Sequence, residues 1–91
     1  MTGNNIIGII QQYHLEDSTI TSGFNSIKAE YKNHKEERLV ISINPDYDRI
    51  FIFFERVKKD NGDGTYEYEV INKLNLKDIE RIKKEYNLKA V

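Results

Sequence analysis

The chain reads as an α+β domain: a four-stranded antiparallel β-meander flanked by an N-terminal and a C-terminal helix (αββββα), with a two-layer sandwich favoured. Three observations predict this. Apolar residues recur with a helical period over 5–14 and again over 76–86. Between these stretches the period drops to two, as in half-buried strands. Three polar, turn-forming clusters divide that middle stretch into four segments.

In the first helix, Ile6, Ile9, Ile10 and Tyr13 fall on one face. Asn4 or Asn5 is the candidate cap, and Gly8 inside costs about 1 kcal/mol against alanine. Residues 16–23 read as a polar link containing Asp17, Ser18 and Gly23. From Phe24 onward the pattern alternates. Ile27, Ala29 and Tyr31 make one strand, Leu39, Ile41 and Ile43 the next, and Tyr66, Tyr68 and Val70 the last. The segment 49–59 differs, because Ile50, Phe51, Ile52, Phe53 and Phe54 are apolar on both faces, which fits an interior strand.

Turns at 33–37, at Asn44-Pro45-Asp46-Tyr47-Asp48 and at Asp60-Asn61-Gly62-Asp63-Gly64 join the strands as hairpins. Matching apolar faces then sets the register. Tyr31, Ala29 and Ile27 meet Leu39, Ile41 and Ile43, which in turn meet Phe54, Ile52 and Ile50. A loop over 60–64 places Lys59 opposite Thr65, Phe54 opposite Val70, Ile52 opposite Asn72 and Ile50 opposite Leu74. One register per hairpin thus gathers the strand hydrophobes on one side, and a slip of one residue would scatter them. The last helix, 76–86, carries the clearest signals. Asn75 and Asp78 are spaced as a capping box, and Leu74 and Ile79 as a hydrophobic staple. Leu76, Ile79, Ile82 and Tyr86 form its stripe, Glu80 and Lys84 an i, i+4 pair, and Asn87 with Leu88 a stop signal.

Composition bounds the function. Ninety-one residues make a single domain, 1–91, with a thin core. A net charge of −1 predicts no general attraction to nucleic acid or anionic membrane. The absence of cysteine and of a leader-like N-terminus favours a cytoplasmic home, and no apolar run approaches membrane-spanning length. Abundant Ile, Lys and Asn, with ten lysines to four arginines, point to an AT-rich bacterial or phage genome.

Each chemical motif has a plainer reading. Aligning Gly64 with the invariant glycine of a calcium loop leaves Lys59 and Val70 where the first and last carboxylates belong, so 60–64 reads as a turn. His14 and His34 lack partners at metal-ligand spacing, and no metal or other cofactor is expected. Glu16, Asp17, Asp46, Asp48, Asp60 and Asp63 read as solvated loop acids. Glu55 and Glu69 are expected to face each other, neutralised by Lys59, Lys73 or a basic partner. Arg56 and Lys58 are expected to pack on Tyr68 and Tyr66 on the core side. No phosphate loop and no nucleophile elbow is present, so no catalytic residue is assigned.

Two helices fit on one face of such a sheet, leaving the other open. The open face is expected to carry Phe51 and Phe53, with Val40, Val57 and Ile71 around them and Glu55 and Glu69 in a charged rim. An aromatic centre with a polar rim is the anatomy of an interface. The expected function is a non-enzymatic interaction module that binds a protein partner or itself as a homodimer. Its general character is that of small phage or mobile-element proteins that inhibit or modulate a host machine, for instance a nuclease or a CRISPR effector. The alternative is a nucleic-acid-binding accessory protein using Lys28, Lys32, Lys35 and Arg38 around the first hairpin.

Overall fold

A computed structural model describes residues 4–23, 26–44, 46 and 49–90. The chain runs α1 (Asn4–Gln12), β1 (Thr19–Ser22), β2 (Ile27–Lys32), β3 (Arg38–Asn44), β4 (Arg49–Asp60), β5 (Tyr66–Ile71), α2 (Leu76–Glu85) and β6 (Lys89–Ala90). The strands form one antiparallel sheet in the order β1-β2-β3-β4-β5, with β6 also on β2. Six strands therefore replace the expected four. The segment read as a polar link contains β1, whose Thr19-Ile20-Thr21 run is β-branched but too short to show alternation. Phe24, Pro45, Tyr47 and Asp48 lie outside the described residues, as do the side chains of Asn4, Asn5 and Ile6.

The two helices stop in the same way. His14 (φ 56) and Asn87 (φ 53) adopt left-handed backbone. Leu15 N–H then donates to Ile10 O at 2.9 Å, and Leu88 N–H to Lys83 O at 2.9 Å. These are Schellman stops, in which the residue after the left-handed position reaches back to the last turn. Both stops read Tyr-X-Leu. Leu15 and Leu88 are buried, and Tyr13 and Tyr86 pack against the same core. After each stop the chain adds a strand to β2. β1 pairs with Ile27–Glu30, and β6 pairs with Tyr31 and Lys32. The outer edge of β2 is thus shared end to end by two short strands. The capping box of α2 forms as expected: Lys77 N–H donates to Asn75 Oδ1 at 3.0 Å and Asn75 N–H to Asp78 Oδ2 at 2.9 Å. Glu80 meets Lys83 at 3.3 Å, in place of the expected Lys84.

The registers of β2 on β3 and β3 on β4 are those that apolar matching predicts, with Tyr31 opposite Leu39 and Leu39 opposite Phe54. Both helices cover the face these residues share. Ile9 and Ile10 of α1, Tyr13 just after it, and Ile79 and Ile82 of α2 enter one core with Ala29, Tyr31, Leu39, Ile41, Ile52 and Phe54. The arrangement is two-layered.

The register of β5 differs from expectation. Asp60 pairs with Tyr66, and a bulge between Val57 and Lys59 puts an extra residue into β4. Beyond it Phe54 faces Ile71, Glu55 faces Val70, Arg56 faces Glu69 and Val57 faces Tyr68. The net slip of one residue exchanges the two faces of β5. Ile71, expected on the open face, lies on the helix side with Phe54; Tyr68 and Val70 take the open side. Glu55 and Glu69 are not opposed, and Arg56 lies beside Glu69 instead of Tyr68.

One buried carboxylate marks where the sheet narrows. β3 begins at Arg38, opposite Glu55, so β4 continues past it without a neighbour on that side. The buried Glu37 fills the gap by accepting Val57 N–H at 2.7 Å. Its other oxygen accepts Asn33 Nδ2 at 2.8 Å, and the same amide donates to Tyr86 O at 2.8 Å. The β2–β3 turn, β4 and the end of α2 are joined there. Glu37→Ala leaves the Val57 N–H without its acceptor and is expected to cost about 2–3 kcal/mol in urea unfolding, with faster hydrogen exchange at Val57. Glu37→Gln, which keeps an acceptor oxygen, is expected to cost less. Equal and negligible losses in both variants would show that the junction does not depend on this side chain.

Candidate functional site

The face opposite the helices is built from alternate residues of β2 to β5. Phe51 is 62% exposed and Val70 57% exposed, and Tyr68 stands beside them at 40%. Phe53 and Val57 are half-buried. Val40, expected among the residues around the two phenylalanines, is only 1% exposed and forms the floor. Among the described residues no helix lies over this face.

Its charges are arranged in pairs. Lys28 lies 3.9 Å and Arg38 3.6 Å from Glu30, and Arg38 also approaches Glu55 at 3.5 Å. The Arg38 guanidinium carbon sits 5.5 Å from the Phe53 ring centroid, a cation–π contact over the aromatic floor. Its Nε is buried without a hydrogen-bond partner, since the 3.5 Å approach of Glu55 is too long for a good bond. Lys32 pairs with Glu36 at 3.8 Å. Lys35 contributes its backbone, whose carbonyl accepts the Tyr68 hydroxyl at 2.6 Å. That bond carries Tyr68 across β4 to the β2–β3 turn. Lys32, Glu36, Arg38, Glu55 and Tyr68 thereby line an open groove of about 510 Å³.

The other expected rim acid, Glu69, is on the helix side, where Arg56 Nη2 meets it at 2.6 Å. A second opening, about 390 Å³, lies on that side between Ile50, Ile52 and the start of α2 at Leu74–Lys77. Asp60 and Asp63 accept backbone N–H groups of Gly62 and Thr65 at 2.9 and 3.0 Å. With Gly62 and Gly64 at positive φ, the run is a locally bonded turn. Among the described residues no three His, Asp or Glu side chains come together as a metal site, and no helix is long and apolar enough to cross a membrane.

Asp17, read as a solvated loop acid, belongs to a polar cluster at the core margin. It accepts the hydroxyl of the buried Tyr31 at 2.8 Å and pairs with Lys83 at 2.7 Å. Lys83 Nζ also lies 4.6 Å from the Tyr31 ring centroid. Desolvation opposes ionisation of Asp17, but hydrogen bonds from Lys83 and Tyr31 outweigh it and hold the carboxyl below its usual range. Desolvation likewise opposes the charge on Lys83, and its bond to Asp17 outweighs that, raising the ammonium. Burial, reinforced by the bond to Asp17, pushes Tyr31 up to about 12. Each shift deepens the ordinary ionisation state at neutral pH. That is the behaviour of a structural clasp between β2, the α1–β1 connection and α2, whereas acid–base chemistry needs a group poised near neutrality.

Comparison with protein-family models, with curated proteins and with solved structures finds no match to this chain.

The clasp makes stability depend on pH at both ends of the scale. Asp17 is depressed, so its contribution is present above the ordinary carboxylate range and is lost as acid titrates the folded carboxyl. Tyr31 is raised, so its contribution is full below pH 10.0 and disappears as pH climbs to about 12, a loss on the order of 2–3 kcal/mol. An ultraviolet titration of the six tyrosines is expected to show one late ionisation near pH 12 that Tyr31→Phe removes. A late ionisation that persists in Tyr31→Phe, with the lost amplitude falling instead in the ordinary tyrosine range, would show that the late proton is not on Tyr31.

Proposed function

We propose that this chain is a non-enzymatic protein-binding module whose working surface is the open sheet face centred on Phe51 and Phe53. One observation carries the reading. Phe51 and Val70 stand largely in water on a face over which the described residues place no second layer, beside half-buried Phe53 and Val57. Burial of such a patch by a partner gains about 25 cal/mol per Å² of apolar surface.

The charge pattern supports a protein over a polyanion. Lys28, Lys32 and Arg38 each lie within 4 Å of a carboxylate, so three of the four cations proposed for the nucleic-acid alternative are already neutralised locally. A module of this size acts by occupying the surface of a larger protein. Inhibition or modulation of a host machine by a phage- or mobile-element-encoded protein is therefore the first role to test, with self-association as the second.

Phe51→Asp is expected to leave the domain folded, with a stability change within about 0.5–1 kcal/mol, because the residue is exposed. Phe54→Asp, on the helix side, is expected to unfold it. In the native host, a partner cross-linked to the wild-type chain is expected to be absent with Phe51→Asp. Unfolding of Phe51→Asp would make the face core and end the proposal. Oligonucleotide binding at low salt that falls steeply as salt rises would favour the alternative instead.

A further inference from the structure

The sheet ends differently on its two sides. Beyond β2 the edge is closed by β1 and β6, and beyond β5 the described residues place no strand. β5 is six residues, Tyr-Glu-Tyr-Glu-Val-Ile, without the proline or lysine that commonly blunts an edge. Tyr68 is drawn inward over the sheet by its bond to Lys35 O, so its side chain does not shield the edge of its own strand. Glu67 and Glu69 share one side of β5, and Tyr66, Tyr68 and Val70 the other. Arg56 neutralises Glu69, while Glu67 is exposed.

A second copy of β5 fits this edge poorly. A two-fold antiparallel pairing that keeps both open faces on one side matches odd positions with odd. Every such register centred between Glu67 and Glu69 sets Glu67 against Glu67 or Glu69 of the copy, or Glu69 against itself. Like charges directly opposite destabilise a ladder. The same geometry welcomes a cation across from Glu67 and an apolar residue across from Tyr68 or Val70.

We propose that the β5 edge accepts an extended segment of a partner protein as an added strand, with a cationic residue facing Glu67 and apolar residues facing Tyr68 and Val70. Main-chain bonds to β5 would supply affinity and the side-chain alternation specificity. This edge adjoins the Phe51 face at Tyr68 and Val70, but its main-chain bonds lie on β5 alone, so the two proposals can fail separately.

The probe is a blocked seven-residue peptide, Lys-Val-Lys-Thr-Lys-Val-Lys, with its glutamate counterpart as control, titrated into isotope-labelled full-length protein. The lysine peptide is expected to shift the amide resonances of residues 66–71 and slow their hydrogen exchange, while the glutamate peptide does neither. Methylating alternate backbone nitrogens of the lysine peptide is expected to abolish binding. Glu67→Lys is expected to weaken it about two- to five-fold, and Phe51→Asp to leave it unchanged. Shifts confined to other residues, equal binding of the two peptides, or a β5-mediated dimer forming without peptide would each overturn the proposal. Loss of peptide binding in Phe51→Asp would do so as well, by placing the peptide on the open face.

Discussion

The left-handed residue after each helix is the constraint on which the layering depends. A helix laid on a sheet must hand its chain back to a strand, and the direction of that return decides which face the helix covers. His14 and Asn87 make the same turn, and each is followed by a leucine that the core buries. Both returns lead to the outer edge of β2. With the two exits fixed at one edge and both leucines on one face, the helices have to lie side by side on that face. The exposure of Phe51 on the other side is a consequence of those two turns.

A second dependence runs through Glu37. β4 is longer than β3, and a strand that outruns its neighbour leaves backbone groups without partners. Glu37 replaces the missing neighbour with a carboxylate, and Asn33 ties that carboxylate to the end of α2. The same β2–β3 turn receives the Tyr68 hydroxyl at Lys35 O. The far part of the β4–β5 hairpin, including the bulge that sets which side chains reach the open face, is thereby anchored at one loop. The polar loop from Asn33 to Glu37 does the positioning that further core would otherwise do.

How much of this was readable in the amino acids follows from the range of each signal. The β2–β3–β4 register was legible because nine apolar side chains, three on each strand, agree on it, and a slip of one residue would have turned a strand's three to the other face. The α2 cap was legible because its residues are adjacent in sequence. β5 was misplaced because a bulge has no composition of its own: Lys58 looks like any strand lysine, and one extra residue moved Ile71 to the helix side and Val70 out. β1 and β6, at four and two residues, are shorter than the alternation needed to detect a strand. The repeated Tyr-X-Leu was visible, but only Asn87 is a familiar stop residue, and His14 gave no comparable warning. Asp17 reads as an ordinary loop acid, and Glu37 as no more than the end of a turn, because their partners, Lys83 and Val57, come from distant parts of the chain.

The charge arrangement separates what holds the fold from what faces outward. Asp17 and Lys83 satisfy each other at 2.7 Å, Arg56 and Glu69 at 2.6 Å, both on the helix side. On the open face the separations lengthen to 3.5–3.9 Å, and Arg38 is shared between two carboxylates while one of its donors goes unused. Tight pairs have little to gain from a newcomer, because a partner would have to break a good bond to form another. Loose, shared pairs over an aromatic floor can be re-aimed at small cost. Among the described residues the open face therefore combines apolar side chains in contact with water and the most loosely held ion pairs, the two properties on which the proposed recognition rests.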